Sequence, residues 1–424
     1  MCGRIFVGLV AVGLTATEAR ADPGAEYGHV NDKFGAAVAL DGGWLAVGVA
    51  GADAVGVDAG LVYLYERAGD EWTLAAQLVG DETAYEYFGR ALALQGDTLV
   101  VGAAIEDGSA AGEDVRRGAV YVFSRGSGVW ARTARLQRDD VDADGFGRAL
   151  ALRGDTLVVG SDERVRAGAP LSGEVVIYGR SGGAWSERGS IAGPDGYWRH
   201  GWPLALGPEV LLVGAIDEDV QVFRRDGEDW RADGALPVPD DAYVGLGRQL
   251  ALDGATAMLT ADDELLVYED RADGWQLAAR VGLEEDERLG WRAGLGLAGE
   301  WAVLGLEGGG VGQVAVFRGA GGEWGRAATI DVPSRVVEDL YPQFGAALAI
   351  DEGWLVAGAP GGGLPVGEQS GEVHVFANRD GFPAVAELTP EDRVDGCGCT
   401  SAANRGWIWL GLVAVFRRRR GVRA

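Results

Sequence analysis

A 15-residue stretch occurs twice in the chain, 58 residues apart, with a single difference. FGRALALQGDTLVVG covers residues 88–102 and FGRALALRGDTLVVG covers residues 146–160, so Gln95 in the first copy becomes Arg153 in the second. Looser copies of its opening letters complete a set of seven, which start at residues 34, 88, 146, 200, 246, 289 and 344. This periodicity predicts one array of similar modules rather than unrelated domains.

Each unit contains four segments typical of short β-strands. A first segment rich in Ala and Leu leads through a turn such as QGD to an apolar second segment, and the third alternates and ends in an aromatic residue. The fourth opens on tryptophan in six units, whereas in the last unit the segment FPAVAEL opens on Phe382. The aromatic ends of the third segments are Tyr65, Phe123, Tyr178, Phe223, Tyr268, Phe317 and Phe376.

Seven antiparallel four-stranded sheets in series leave open edges and faces unless they close into a ring. We therefore predict an all-β fold in which residues 34–390 form a seven-bladed β-propeller, after a lead-in at residues 22–33. Because the lead-in holds no convincing tryptophan strand, we expect FPAVAEL to complete blade seven and the faces of blades one and seven to pack together.

The first 21 residues have the pattern of a secretory signal peptide. Arg4 precedes the apolar run IFVGLVAVGL, and the letters ARA end at Ala21, which provides small residues at the positions that a signal peptidase requires. The alternative, a buried first strand, is disfavoured because the run does not alternate and leads directly into a polar stretch. We therefore expect a secreted protein.

The last residues, 391–424, combine Cys397, Cys399, an apolar segment at residues 406–416 and four consecutive arginines. As a helix, the apolar segment would span only about 16 Å, against roughly 30 Å of bilayer hydrocarbon. A transient membrane-engaging segment therefore fits better than a stable anchor. The sequence GCGC, the apolar run and RRRR together resemble the MYXO-CTERM sorting tail of secreted myxobacterial proteins, which implies surface display on a bacterium, cleavage of the tail and modification of the cysteine region.

Cysteine usage agrees with this division, because the third cysteine, Cys2, lies in the leader and the propeller region holds none. Cys397 and Cys399 are closer in sequence than ordinary disulfide geometry favours, and they lack the second pair of a structural zinc site. Processing or modification is the preferred interpretation, with an idle thiol pair and a metal site as alternatives.

The chain is strongly acidic, with a formal net charge of −27, and both ends are net positive, so the propeller region is more acidic still. Phosphate backbones need clustered lysine and arginine, so nucleic acid is not an expected partner. Solubility outside the cell is a sufficient explanation for the charge, and we expect a monomer.

The repeated Phe-Gly, together with FGAALAIDEGWLVAGAP at residues 344–360, resembles FG-GAP repeats, the units of the integrin α-subunit propeller and of many secreted bacterial proteins. The resemblance covers roughly residues 34–390. Integrin-type members often hold calcium in a DxDxDG loop between the first two strands, but here that connection is a short turn. We therefore expect no cofactor from this source.

One acidic stretch elsewhere is a weak calcium candidate. Asp140, Asp142 and Asp144 match the early ligand positions of a calcium loop, but Arg148 and Ala151 fall on the later ones. A solvated acidic turn between blades is the preferred interpretation.

Three further features have both an ordinary and a functional interpretation. Arg153–Asp155 spells the adhesion tripeptide RGD, but the matching QGD one blade earlier favours a hairpin turn. The aromatic stretch GYWRHGW at residues 196–202 could bind a sugar or a cation, although packing is preferred because His200 lies in a first-strand position. The histidines, His29, His200 and His374, suggest no catalytic motif.

The expected function is therefore binding, adhesion or display at the cell surface, with an extracellular protein or glycan as ligand and no catalytic activity. The long loops Ala104–Gly118 and Pro360–Gly371 are expected to lie on one face and form the contact surface. An extracellular propeller enzyme acting on polysaccharide or phospholipid, a hydrolase or lyase, is one alternative. A structural envelope component is the other.

Overall fold

A computed structural model of the protein describes residues 11–15, 33–81, 86–104, 118–138, 145–161, 173–194, 197, 199–216, 218–241, 246–261, 263–284, 287–290, 293–307, 312–331, 343–351, 353–361 and 371–378. Within these ranges the chain forms β-strands and no helix.

The strands group into seven sheets of four, which are the blades. Those of blades one to four are β2 (Phe34–Asp41), β3 (Trp44–Val49), β4 (Leu61–Ala68), β5 (Glu71–Leu78); β6 (Phe88–Gln95), β7 (Thr98–Ala103), β8 (Ala119–Gly126), β9 (Val129–Leu136); β10 (Phe146–Arg153), β11 (Thr156–Ser161), β12 (Glu174–Ser181), β13 (Ala184–Ala192); and β14 (Leu204–Leu206), β15 (Val210–Val213), β16 (Gln221–Asp226), β17 (Asp229–Ala235). Those of blades five to seven are β18 (Leu250–Asp253), β19 (Thr256–Ala261), β20 (Glu264–Arg271), β21 (Gly274–Gly282); β22 (Leu295–Ala298), β23 (Trp301–Leu306), β24 (Gln313–Ala320), β25 (Glu323–Asp331); and β26 (Ala347–Ile350), β27 (Trp354–Ala359), β28 (Glu372–Ala377), with β1 (Ala11–Thr15).

The sheets close into a ring. In blades one to six the strands pair in sequence order, and all pairs are antiparallel. Each first strand contacts the first strand of the next blade, and the series closes with β26 against β2. The first strands therefore surround a central axis, and the prediction of a seven-bladed β-propeller is confirmed.

Glycines allow successive blades to approach closely. A Cβ on Gly102, in the second strand of blade two, would come within 3.0 Å of the carbonyl oxygen of Gly147, the Phe-Gly glycine of blade three. Gly147 itself has φ +91°, a conformation that glycine adopts without steric cost. The same contact joins Gly48 with Gly89, Gly160 with Gly201, Gly305 with Gly345 and Gly358 with Gly35.

The phenylalanine of each Phe-Gly pair fills the space that this approach leaves. Phe146 is fully buried, and its ring lies 6.4 Å from that of Tyr178 in an edge-on arrangement. It packs in one apolar cluster with valines of blade two, such as Val120 and Val122. The repeat therefore encodes the interface between blades: a large apolar side chain beside glycines whose backbones touch.

The ring closes in two ways. Blades one and seven pack face to face, since Phe34, Leu45 and Trp72 share an apolar cluster with Trp354 and Val375, and the rings of Trp72 and Trp354 meet edge-on with centroids 5.8 Å apart. In addition, β1 forms the outer strand of blade seven by pairing with β28.

The role of β1 differs from the expected closure, in which FPAVAEL completes blade seven. That segment and Phe382 lie outside the described residues, and residues 11–15, inside the predicted signal peptide, hold the edge instead. The physical reason is that β28 exposes a row of unpaired backbone amides and carbonyls, which any extended apolar segment of the chain can satisfy.

Candidate interaction surface

The two ends of the propeller differ in the kind of connection that they carry. The turns from first to second strand and from third to fourth strand lie at one end, which we call the turn face. The loops from second to third strand and the linkers between blades lie at the other end, the loop face. Short turns leave little surface to vary, so the loop face is the candidate interaction surface.

The described ends of the two expected contact loops lie on the loop face. Ala104 and Gly118 follow β7 and precede β8, and Pro360 and Gly371 stand in the same places in blade seven. The intervening residues 105–117 and 362–370 lie outside the described residues. The counterpart in blade one, residues 50–60, is described throughout, and there Asp53 Oδ1 accepts a hydrogen bond of 2.8 Å from the amide of Asp58.

The best-defined polar cluster on the loop face lies in the linker before blade two. Glu86, only 7% exposed, accepts a hydrogen bond from the Tyr121 hydroxyl and another, of 3.2 Å, from the amide of Asp81. Arg135 donates to the Tyr121 hydroxyl over 3.3 Å and lies 2.7 Å from Asp81, which also pairs with Arg132. These bonds clamp the linker to the outer strands of the blade that it introduces.

The electrostatics of this cluster follow from burial and pairing. Burial, and then the hydrogen bond to Glu86, raise the pKa of Tyr121 far above its ordinary value, so its hydroxyl stays protonated. Burial would raise the pKa of Asp81, but its bonds to Arg132 and Tyr121 and the charge of Arg135 together lower it below the ordinary value. Asp81 is therefore a charged partner for arginine rather than a proton donor.

Other linkers are held in the same way with different residues. Before blade three, Arg138 lies 3.3 Å from the buried Glu174. Before blade five, Asp241 lies 2.9 Å from Arg280, which also pairs with Glu264. Before blade six, the buried Glu287 pairs with Arg326 and accepts a 2.9 Å hydrogen bond from the amide of Glu284. These carboxylates have structural partners, which join the linkers to the third and fourth strands of the blades that follow.

The histidines occupy packing positions where the structure describes them. His200 is fully buried in the position that Phe88 and Phe146 hold in other blades, and its Nε2 lies 3.0 Å from Gln221 Oε1. Burial lowers its pKa to about 4, so it is neutral at pH 7. His374 Nε2 lies 3.1 Å from Glu372 Oε2, and its ring meets Phe344 edge-on.

The aromatic stretch around His200 is partly described. Tyr197 is half-buried, and burial together with Asp219 and Glu218 raises its pKa. Trp202 is half-buried, while Trp198 and His29 lie outside the described residues. Packing, the preferred interpretation, is therefore confirmed for His200.

The RGD tripeptide is a hairpin turn on the turn face, as predicted. The amide of Gly154 donates to Gln95 Oε1 of the preceding blade over 2.5 Å, and Asp155 pairs with Arg180 Nε over 2.7 Å. The matching turn of blade two has the equivalent pair of Asp97 and Arg125.

The tryptophans that the structure describes serve the interfaces between strands and blades rather than an open surface. Arg125 lies 4.7 Å from the ring centre of Trp44, and Arg180 lies 5.3 Å from that of Trp185. Among the described residues, the only large apolar side chains that are exposed are Val57 and Val129. An open aromatic platform for stacking a sugar is thus not part of the described surface.

The remaining predicted site residues belong to other parts of the chain. Ala21, Cys397 and Cys399, and the weak calcium candidates Asp140, Asp142 and Asp144, lie outside the described residues. Within the described ranges no three metal-ligating side chains come together. The same ranges contain no helix of the length and apolarity that crossing a membrane would require.

Comparison with known proteins supports the repeat and the fold. Residues 72–123 match the family model described as FG-GAP repeat. That match begins in the outer strand of blade one and ends in the third strand of blade two, so it contains Gly89, the Phe-Gly glycine that meets Gly48 of blade one. No curated protein matches the chain.

A solved structure is similar at the level of the fold. The β-propeller domain of Cps50 (Swd1) from Myceliophteria thermophila is 12% identical, with a TM-score of 0.51 over 83% of this chain and 97% of that one. Sqt1 of Saccharomyces cerevisiae, also 12% identical, covers 78% of this chain and 82% of its own, with a TM-score of 0.46. The chain therefore contains an FG-GAP repeat within a seven-bladed β-propeller.

Proposed function

We propose that the protein is a secreted interaction module, displayed on a bacterial cell surface, that binds an extracellular protein or glycan through its loop face. The observation that carries this proposal is the asymmetry of the two ends. The turn face consists of short hairpins, whereas the loop face carries the longer second-to-third-strand loops of blades one, two, three and seven, beside linkers of which four form ion pairs with the blades they introduce. Variable loops on a rigid scaffold are the usual arrangement of a binding surface.

Two sequence features support the location. The leader ending at Ala21 favours export, and the tail with Cys397 and Cys399, similar to MYXO-CTERM, favours sorting to the surface after transient membrane contact. The buried state of Trp44 and Trp72 favours a ligand held by polar and charged loop groups rather than by sugar stacking.

Binding to a glycan array and to surface proteins of the producing cell tests this function, with a chain that lacks the tail. We expect retained ligand without released product. Replacing residues 105–117 by a Gly-Ser linker of equal length should abolish binding, whereas Val129→Ser, an exposed change on the turn face, should leave it unchanged. Product release would favour the enzyme alternative, and binding that survives the loop replacement would contradict a role for that loop.

A further inference from the structure

If the signal peptide is removed, the outer edge of blade seven loses the strand that pairs with it in the full chain. In the structure β1 holds this edge, with Ala11 opposite Phe376 and Thr15 opposite Glu372. β1 lies inside the predicted signal peptide, so a chain that starts at Asp22 lacks it. The backbone of β28 would then be unpaired on its outer side, and such an edge recruits any available strand.

We propose that in the processed chain residues 382–388, FPAVAEL, dock on this edge and form the outer strand of blade seven. The proposal rests on removal of residues 1–21, which is part of the proposed function, but not on the identity of any ligand. Three observations on the described blades carry it.

The first observation is the hairpin register. In all six other blades, third and fourth strands are joined by two residues, as between Ala68 and Glu71 or between Gly126 and Val129. Phe376 is the counterpart of Tyr65, because they pair with the equivalent Leu355 and Leu45. The same count places Asp380 and Gly381 at the two turn positions, and Asp-Gly is a preferred sequence for such turns.

The second observation explains the proline, which would otherwise argue against a strand. The amide of Asn378 donates to the carbonyl of Gly353 over 2.7 Å, so Asn378 directs its backbone groups toward β27. A residue opposite Asn378 in an outer strand would form no backbone hydrogen bonds with it, so that residue does not need an amide hydrogen. The register puts Pro383 there, as it puts Trp72 opposite Arg67, and proline is tolerated at such edge positions.

The third observation is length and reach. β1 covers only Glu372–Phe376, whereas the outer strands of the other blades contain seven to nine residues. The segment at 382–388 would also cover Ala377. A two-residue turn joins it to β28, and closing such a short loop costs less entropy than closing residues 16–33.

Hydrogen exchange on two forms of the chain tests the proposal. One form is residues 1–424, produced without export, and the other starts at Asp22; each is prepared as wild type, Ala384→Pro and Val385→Pro. In the proposed register the amide of Ala384 faces β28 and that of Val385 faces away, so Val385→Pro is the matched control. By strand alternation, the amides of Val375 and Ala377 face the outer edge and report its occupancy.

We expect these amides to be protected in the wild-type Asp22 chain, and Ala384→Pro to speed their exchange by roughly 100-fold or more through loss of pairing. Val385→Pro should leave protection at Val375, and both variants should be silent at this amide in the full chain, where β1 holds the edge. Open-edge exchange in the wild-type Asp22 chain would overturn the proposal. So would equal effects of the two prolines, or protection that appears only with a dimer mass, which would show a second copy as occupant. None of these readouts depends on ligand binding.

Discussion

The interface between blades two and three and that between blades five and six solve one packing problem differently. At the first, Gly102 and Gly118 face the backbone of Phe146 and Gly147 so closely that a Cβ on either would clash. At the second, the equivalent positions hold the fully buried Thr260 and the exposed Asp263.

The difference lies in what fills the space. Phe146 enters the first interface beside close backbones, whereas at the second the side chains of Met258, Leu304 and Phe317 form an apolar cluster. The Thr260 hydroxyl also lies 3.3 Å from Gln249 Oε1. Glycine is therefore required only where two blade backbones touch, and a blade that separates them by side chains can hold a branched residue there.

Gly102→Ala should have the largest effect, because its new methyl group meets the Gly147 carbonyl, which belongs to the backbone and cannot rotate away. We expect a loss of about 3 kcal/mol or more in the free energy of unfolding, at the upper end of overpacking costs. Thr260→Ala, which leaves alanine at the equivalent position, should cost only about 1 to 2 kcal/mol. Urea unfolding of both variants provides the measurement.

The comparison would fail if the two alanine variants lost equal stability. Gly305→Ala extends it, because Gly305 faces Gly345 of blade seven just as Gly102 faces Gly147. It should behave like Gly102→Ala although it lies in the blade next to Thr260.

His200→Phe should have the next largest effect, and only at acidic pH. The folded pKa of His200 is about 4, below the ordinary 6.5, so the unfolded chain binds the proton first as pH falls. Its neutral form therefore stabilises the fold fully above about pH 6.5, and this contribution of about 3 kcal/mol is lost between pH 6.5 and 4. His200→Phe removes this sensitivity, so its urea midpoint should fall less than that of the wild type between pH 7 and 4.5.

The reciprocal change Phe146→His places the same group in the corresponding position of blade three. It should steepen the fall of the midpoint over the same pH range. Parallel pH profiles for wild type and both variants would show that His200 is not protonated on unfolding.

Periodic features of the fold were predictable because each blade repeats them. Phe88 and Phe146 mark the interfaces, and the turns at Gly96 and Gly154 follow from their sequence, with φ +54° and +57°. Blade six shows the limit of prediction from the repeat. In its entry turn the amide of Ala293 donates to the carbonyl of Gly290, as the amide of Ala36 donates to the carbonyl of Lys33 in blade one. The positions in blade six that correspond to the Phe-Gly pair of blade one therefore lie two residues after its Leu-Gly pair, which the sequence repeat placed there.

The polar clusters of the loop face were not predictable, because their partners follow no period. Glu86 meets Tyr121 35 residues away, and the position of Tyr121 is held by Ala315 in blade six, where Arg326 pairs with Glu287 instead. The acidic residue two places before the Phe-Gly pair was a usable signal in blade two. The pairing of β1 with β28 was not predictable either, since an unpaired edge selects a partner by availability rather than by pattern.

Gln95→Arg should have the smallest effect, and it makes the two 15-residue copies identical. Gln95 Oε1 accepts from the amide of Gly154 in the next blade, a bond that arginine cannot make because it has no acceptor. Since the site is exposed, water replaces the lost partner, and we expect a loss of about 0.5 to 1 kcal/mol in the free energy of unfolding. Arg153→Gln is the matched control, because it provides an acceptor that faces the first turn of blade four. In that turn the amide of Gly207 already donates to the carbonyl of Val210 over 2.7 Å. Arg153→Gln should therefore leave the free energy of unfolding unchanged. If the urea midpoints of the two variants instead shifted by equal and opposite amounts, the charge of the side chain rather than the hydrogen bond between blades would explain the difference in stability.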